Sequence, residues 1–310
     1  MGAVKVILSL LFIIFAIGLF FLYWFMPFST YEFVPIENDN SNFSLSNNSL
    51  EISQQFYENM RFPQKEISYE IIGCPLQKKN DAERAFRIIA DNTMLDFYEY
   101  PSNSQKDGEI VITCDSDEVI EGNLIIAGEG GPTKIVKTKL FSIILEGKVL
   151  LREESSCPEP NIAIHEILHA LGFEHSENPS NIMYRISKCS QTIGDDTIVL
   201  INKIYSVPSF PELQINNVSA DIDGRYLNTY FSVKNEGLKA SESFKVLIYT
   251  DEKLAKEVEM ESIDFGEGRK IILENVWLSD ASPNEIKFIV DYPYPEIEKN
   301  NNEIILAVKK

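Results

Sequence analysis

Hydrophobic and polar positions divide the chain into stretches of different rhythm. Residues 6–26, VILSLLFIIFAIGLFFLYWFM, form an apolar run with no charge and Ser9 as its plain polar interruption. At helical rise the run covers about 30 Å, the thickness of a bilayer core. A cleaved signal peptide is the rival reading, with an apolar region of ~7–15 residues and a small-residue cleavage site. This run is longer, and it leaves through Tyr23, Trp24 and Phe25, aromatic residues suited to a membrane interface, before Pro27. The pattern predicts one N-terminal transmembrane helix. From 28 to 65 the sequence is polar and rich in Asn and Ser, notably over 38–49, which predicts a stalk.

Periodicity then returns. It predicts strands near 67–72, 96–100 and 110–114, and Ala85, Phe86, Ile89 and Met94 mark an amphipathic helix near 81–95. Further strands are predicted near 124–128, 140–145 and 148–152. Two helices follow, one carrying residues 165–171 and one from Asp195 to about Tyr205. After Val207-Pro208 the rhythm shortens. Seven apolar or alternating stretches, about 213–218, 226–233, 244–249, 257–262, 270–277, 286–291 and 303–308, are separated by turn signals such as Asn235-Glu236-Gly237 and Ser282-Pro283-Asn284. That spacing fits an all-β Ig-like sandwich. The domain plan is a tip and anchor at 1–27, a stalk at 28–65, an α+β domain at 66–207 and a sandwich at 208–310.

Composition narrows the partners. The chain is 44% hydrophobic and 24% charged, which is globular. Its 28 basic and 47 acidic residues give a net charge of -19, so nucleic acid is not an expected partner. A soluble, mutually repelling surface is the simpler reading of that charge than a specific cationic partner. Lys5 precedes the apolar run, and no Lys or Arg follows it until Arg61. The positive-inside rule then places the N-terminus in the cytoplasm and the rest outside, a single-pass protein of the cell membrane. Sequons at Asn42, Asn47 and Asn217 are compatible with an external surface. Calcium is left open, because acidic residues are plentiful but no ligand loop stands out.

The chemistry is concentrated in one place. The chain has 3 histidines, and all fall within His165-Glu166-Ile167-Leu168-His169-Ala170-Leu171-Gly172-Phe173-Glu174-His175. Neutral imidazole is a common zinc ligand, and three with an open position make a known catalytic set. On a helix His165 and His169 lie one turn apart, about 40° around the axis. Ala163, Ile167, Ala170 and Leu171 fall on the opposite, core-facing side. Gly172 can adopt the left-handed conformation that ends the helix and lets His175 reach back. A lone histidine reads as a packed or surface residue; three at this spacing do not.

This stretch resembles the metzincin pattern H-E-x-x-H-x-x-G-x-x-H with a following Met-turn. Ser176 after the third histidine, Met183-Tyr184, and the Asp195-Asp196-Thr197-Ile198 helix start are similar to the matrixin branch, over about 161–205. The resemblance implies a zincin-like α+β catalytic domain and a zinc metalloendopeptidase. One Zn2+ would be held by His165, His169 and His175, and Glu166 would accept a proton from the zinc-bound water. Residues 124–128, with the loop at 129–132, resemble the edge strand over which such enzymes lay a protein or peptide substrate. Many matrixins hold a second zinc through further histidines, which this chain lacks. It also lacks a Pro-Arg-Cys-Gly-like inhibitory motif. Met183 is expected to pack beneath the metal.

Cys74, Cys114, Cys157 and Cys189 are an even set, as in disulfide-bonded external proteins. Pairing Cys157 with Cys189 would staple the two flanks of the site, leaving Cys74 for Cys114. Four cysteines allow three pairings and sequence does not choose. Buried free thiols are the alternative, and no C-x-x-C spacing suggests a cysteine metal site. Val233-Lys234-Asn235-Glu236-Gly237 and the ending Val290-Asp291 to Asn300-Asn301-Asn302 resemble the CARDB family of cell-surface adhesion modules, which implies a docking role and a cell-surface partner. A purely adhesive or scaffolding protein is therefore the alternative to the peptidase. A zinc hydrolase acting on a non-peptide amide is a third possibility.

Overall fold

The computed structural model describes residues 2–25, 30–35, 54–100, 108–117, 119–121, 124–153 and 157–308. Helix α1 (Gly2–Phe25) and strand β1 (Thr30–Pro35) open the chain. A first domain follows with β2 (Met60–Arg61), β3 (Glu66–Ile72), α2 (Leu76–Asn92), β4 (Asp96–Glu99), β5 (Ile110–Cys114), β6 (Ile120–Glu121) and β7 (Leu124–Ile125). It continues through β8 (Gly128–Lys137), β9 (Ser142–Leu151), α3 (Asn161–Ala170) and α4 (Asp195–Tyr205). The second domain contains β10 (Leu213–Asp223), β11 (Tyr226–Asn235), β12 (Phe244–Thr250), β13 (Lys253–Met260), β14 (Gly268–Trp277), β15 (Glu285–Asp291) and β16 (Glu303–Val308).

The first sheet has the order β2-β9-β5-β3-β4, all parallel, with β8 added antiparallel along β9. Its core joins Ile67, Ile110, Ile112 and Val149 of the sheet to Phe86 and Ile89 of α2 and to Ile164, Ile167 and Leu168 of α3. Helix α2 starts earlier than its apolar period predicts. Lys78 explains the difference: the side chain is buried, and Nζ donates to the carbonyls of Asp115 at 2.5 Å and Arg152 at 2.6 Å. The strands expected at 140–145 and 148–152 are one strand, β9. Gly147 marks a close approach there rather than a turn, since a Cβ would lie 3.2 Å from the Ala170 Cβ on α3. The edge strand is β8 and begins at Gly128, whereas Leu124 and Ile125 pair with β6 in a small separate hairpin.

The polar stretch 28–65 is not a stalk in its described parts. Strand β1 lies antiparallel between β10 and β16, so the chain enters the sandwich, leaves it, and returns only at Leu213. Residues 54–62 belong to the first domain. Gln55 bridges Phe173, and Met60, Arg61 and Phe62 are buried. Arg61 donates through Nη1 to the carbonyls of Ile204 (2.8 Å) and Val207 (2.9 Å), through Nε to Phe62 (2.9 Å), and stacks over the Tyr205 ring.

The sandwich sheet runs β13-β12-β15-β16-β1-β10-β11-β14 around a core that includes Ile222, Phe231, Val246, Phe288 and Leu306. A small apolar seam of Phe141, Ile143, Val207 and Leu238 joins the domains. Beside it the Lys139 N–H donates to Glu236 Oε2 at 2.6 Å, and Thr138 Oγ1 donates to the Glu236 carbonyl at 3.0 Å. The disulfides are Cys74–Cys114 and Cys157–Cys189. Among the described residues no helix is long and apolar enough to cross a membrane, so the expected transmembrane helix lacks structural support.

Candidate metal centre

Helix α3 is buried almost throughout, which is why it carries so few polar residues and why those few matter. It ends at Leu171, and Gly172 takes φ of +98°, a conformation that costs a residue with a Cβ. The Gly172 N–H donates to the His169 carbonyl at 2.9 Å and the Phe173 N–H to Leu168 at 3.1 Å, closing the helix and reversing the chain. That reversal brings His175 to the same point in space as His165 and His169.

The three ring nitrogens converge. His169 Nε2 lies 3.0 Å from His165 Nε2 and 3.2 Å from His175 Nε2. His165 Nδ1 lies 2.7 Å from the Ile182 carbonyl, and His169 Nδ1 lies 2.7 Å from the Phe173 carbonyl. A carbonyl only accepts, so each Nδ1 carries the proton and each Nε2 presents a lone pair. Lone pairs packed this closely repel unless a cation stands among them. Nitrogen ligands at ~2.0–2.1 Å from tetrahedral zinc would sit about 3.3 Å apart, close to the spacing seen. The donor set fits a metal dication, and these histidines are close enough to bind one. Burial lowers the pKa of all three, that of His169 to about 4, which keeps the imidazoles neutral and available as ligands.

Glu166 is 6% exposed and faces the edge strand. A Cβ on Gly128 would lie 2.7 Å from Glu166 Cγ, and one on Gly130 only 2.1 Å from the Glu166 carbonyl oxygen. Both glycines are required by this close approach of β8 to α3. Burial pushes the Glu166 carboxyl up to about 8, with the charge of Glu129 adding to it. A metal dication between the histidines would act in the opposite sense. Met183 is buried in the first-domain core, next in the chain to Ile182, whose carbonyl meets His165 Nδ1. An open cleft of about 940 Å³ lies over these groups, lined by Ile125, Ile126, Gly128, Ile162, Arg185 and Ile186.

All four residues singled out by the sequence, His165, Glu166, His169 and His175, lie together on this cleft. Two supporting residues carried no sequence signal of comparable strength. Asn181 is 1% exposed and organises the turn, with Oδ1 accepting from the Met183 N–H at 2.9 Å and Nδ2 donating to Asp196 Oδ1 at 3.2 Å. Phe56 stacks on the His169 ring, centroids 5.9 Å apart, while its N–H donates to the Gly172 carbonyl at 3.0 Å. Phe56 sits in the stretch expected to be stalk, where nothing in the local pattern points to a distant helix.

Comparison with known proteins agrees with this geometry. Residues 148–206 match the family model for matrixin, and residues 210–305 match the model for CARDB. The chain therefore has a matrixin-like segment followed by a CARDB domain. Among solved structures it is similar to the CARDB domain of the PF1109 protein from Pyrococcus furiosus, in complex with di-metal ions. The identity is 22%, over 32% of this chain and 88% of that one, with a TM-score of 0.27. It is also similar to the 272–376 domain of a protein described as a cell surface protein from Methanosarcina acetivorans. There the identity is 19%, over 33% and 93% of the two chains, with a TM-score of 0.26. Comparison with curated proteins finds no significant match.

Proposed function

We propose that the chain is a zinc-dependent endopeptidase of matrixin type. The observation that carries this reading is the convergence of three Nε2 lone pairs, two of them fixed by Nδ1–carbonyl contacts, beside a buried glutamate. Zinc bound there would supply Lewis acidity and a water of lowered pKa. Glu166 takes up the proton from the attacking water and hands it to the departing amine, the usual work of a positioned carboxylate. An extended peptide adds along the free edge of β8, where main-chain hydrogen bonds give affinity and the apolar cleft selects side chains.

Attachment to the cell membrane, with the N-terminus inside and the remainder outside, is supported by the uncharged run 6–26 and by Lys5. The CARDB match supports a docking role for the second domain, and a purely adhesive protein is the alternative. Peptide-library cleavage separates the two. The peptidase reading expects cleavage that a chelator abolishes and one equivalent of zinc restores. Zinc-loaded protein that cleaves no member of a broad library would leave adhesion as the better reading.

A further inference from the structure

Where the chain returns to the sandwich at 211–213, two carboxylates are buried. Glu212 is 0% exposed and Glu296 is 9% exposed. Glu212 Oε2 accepts from the Glu298 N–H at 2.7 Å, and its Oε1 accepts from Asn301 Nδ2 at 2.6 Å. Glu296 Oε1 accepts from the Leu213 N–H at 3.0 Å, and its Oε2 from Asn302 Nδ2 at 2.7 Å. A carboxylate oxygen can accept more than one such bond, so each keeps a lone pair. Burial pushes Glu212 up to about 7 and raises Glu296, and Glu296 and Glu298 add repulsion at Glu212. Lys299 tempers the charge of Glu296, while its Nζ donates to the Tyr292 carbonyl at 3.1 Å.

The asparagines supply the second observation. Asn302 is 7% exposed, and its Oδ1, like that of Asn301, is closed to solvent and meets no donor. Turning the amides over does not help, because an ionised carboxylate cannot donate and must face the nitrogen. Nearby backbone donors are already used: the N–H groups of Glu212 and Gly237 both donate to Asn235 Oδ1 at 3.0 Å. Each buried carboxylate thus lies against an asparagine whose amide oxygen meets no donor, and the two carboxylates are near enough for Glu296 to repel Glu212.

We propose that Glu212, Glu296, Asn301 and Asn302 form a binding site for one hard divalent cation, Ca2+, at the base of the sandwich. Carboxylates and amide carbonyls are the oxygen ligands Ca2+ takes in irregular sets. The soft ligands that favour zinc or copper are missing, since residues 208–310 contain neither Cys nor His. A shared proton would relieve the charge but not serve both amide oxygens, and a water would do the reverse. A divalent cation does both. It would tie segment 296–302 to the entry strand, one residue from the Asn235-Glu236 turn that grips the β8–β9 hairpin.

The test uses the full chain in mild detergent, stripped by chelator and reloaded with one equivalent of zinc. Calorimetric titration with Ca2+ should show one saturable site. At a hundredfold excess over Kd, Ca2+ but not equal Mg2+ should raise the unfolding temperature of the sandwich by about 5 °C or more. Glu296→Gln should abolish both responses. Asn302→Asp adds a third carboxylate, so it should be less stable than the parent without calcium and recover with it. Absence of any calcium response in the parent chain overturns the proposal. So does a response unchanged in Glu296→Gln, or an Asn302→Asp variant that calcium does not rescue. The Asn302→Asp arm stands even if Glu296→Gln fails to fold.

Discussion

The metal centre and the base of the sandwich bury the same kind of group in different company. At the metal centre Glu166 lies beside three imidazoles whose lone pairs point at one another. At the sandwich base Glu212 and Glu296 lie among asparagines and backbone N–H groups. Both pockets are rich in acceptors and poor in donors, and a buried acceptor without a partner costs about 1–3 kcal/mol. The lesson is that each pocket gathers acceptors around a buried carboxylate, while the cations nearby, Arg185 at His175 and Lys299 at Glu296, act on single members of the group. Only the first pocket is built from residues whose spacing along the chain discloses it.

Several changes would break or sharpen that contrast. The largest effect is expected from His169→Ala, which leaves two ligands on a site that needs three; zinc content and peptide cleavage should be lost together. Metal analysis showing full zinc occupancy in this variant would exclude His169 as a ligand. Arg61→Met should follow in size. It leaves the carbonyls of Ile204 and Val207 without their buried donor, and about 3 kcal/mol of first-domain stability should go with it. Denaturant unfolding that shows the parent stability would return residues 54–62 to the status of a stalk.

Gly130→Ala is next. Its Cβ would press on the Glu166 carbonyl from 2.1 Å, and neither backbone can give way freely. Calorimetry should show the first domain weakened by about 1–3 kcal/mol, with the sandwich transition unmoved. The smallest effect concerns Glu212 without calcium. Its folded-state pKa of about 7 lies above the ordinary 4.5, so the folded protein holds this proton more tightly. That contribution is complete below about pH 4.5 and is lost as pH rises through about 7. The sandwich should lose a few degrees of unfolding temperature between pH 5 and 7, and Glu212→Gln should flatten that slope. An identical slope in the variant would assign the pH dependence to other groups.

Local patterns made much of the fold legible. The seven strands of 208–310 each appear, because alternating burial writes itself into neighbouring residues. His165, Glu166, His169 and His175 could be read because a helix and one glycine turn bring them together over a short span. What the sequence hid is long-range. Strand β1 alternates Thr30 and Glu32 with Tyr31 and Phe33 but stands isolated along the chain before an Asn/Ser-rich run, and its partners are the distant residues 220–223 and 306–308. Arg61 lies in the stretch expected to be stalk, and its buried role depends on the carbonyls of Ile204 and Val207, more than 140 residues away. Gly147 falls in the gap between two expected strands, and only the packing of Ala170 on α3 against it explains a glycine inside one continuous strand. The Asn301-Asn302 pair resembles a family ending, but its unmet oxygens exist only in the folded state.

The most direct test of the account separates holding the metal from the chemistry. Glu166→Gln keeps size and helix compatibility while removing the carboxylate that handles the proton. Zinc content and unfolding temperature should stay at parent values, while peptide turnover falls by a factor of about 10² or more. Cleavage at the parent rate by zinc-loaded Glu166→Gln would contradict the assignment of Glu166 as the base, and with it the proposed mechanism.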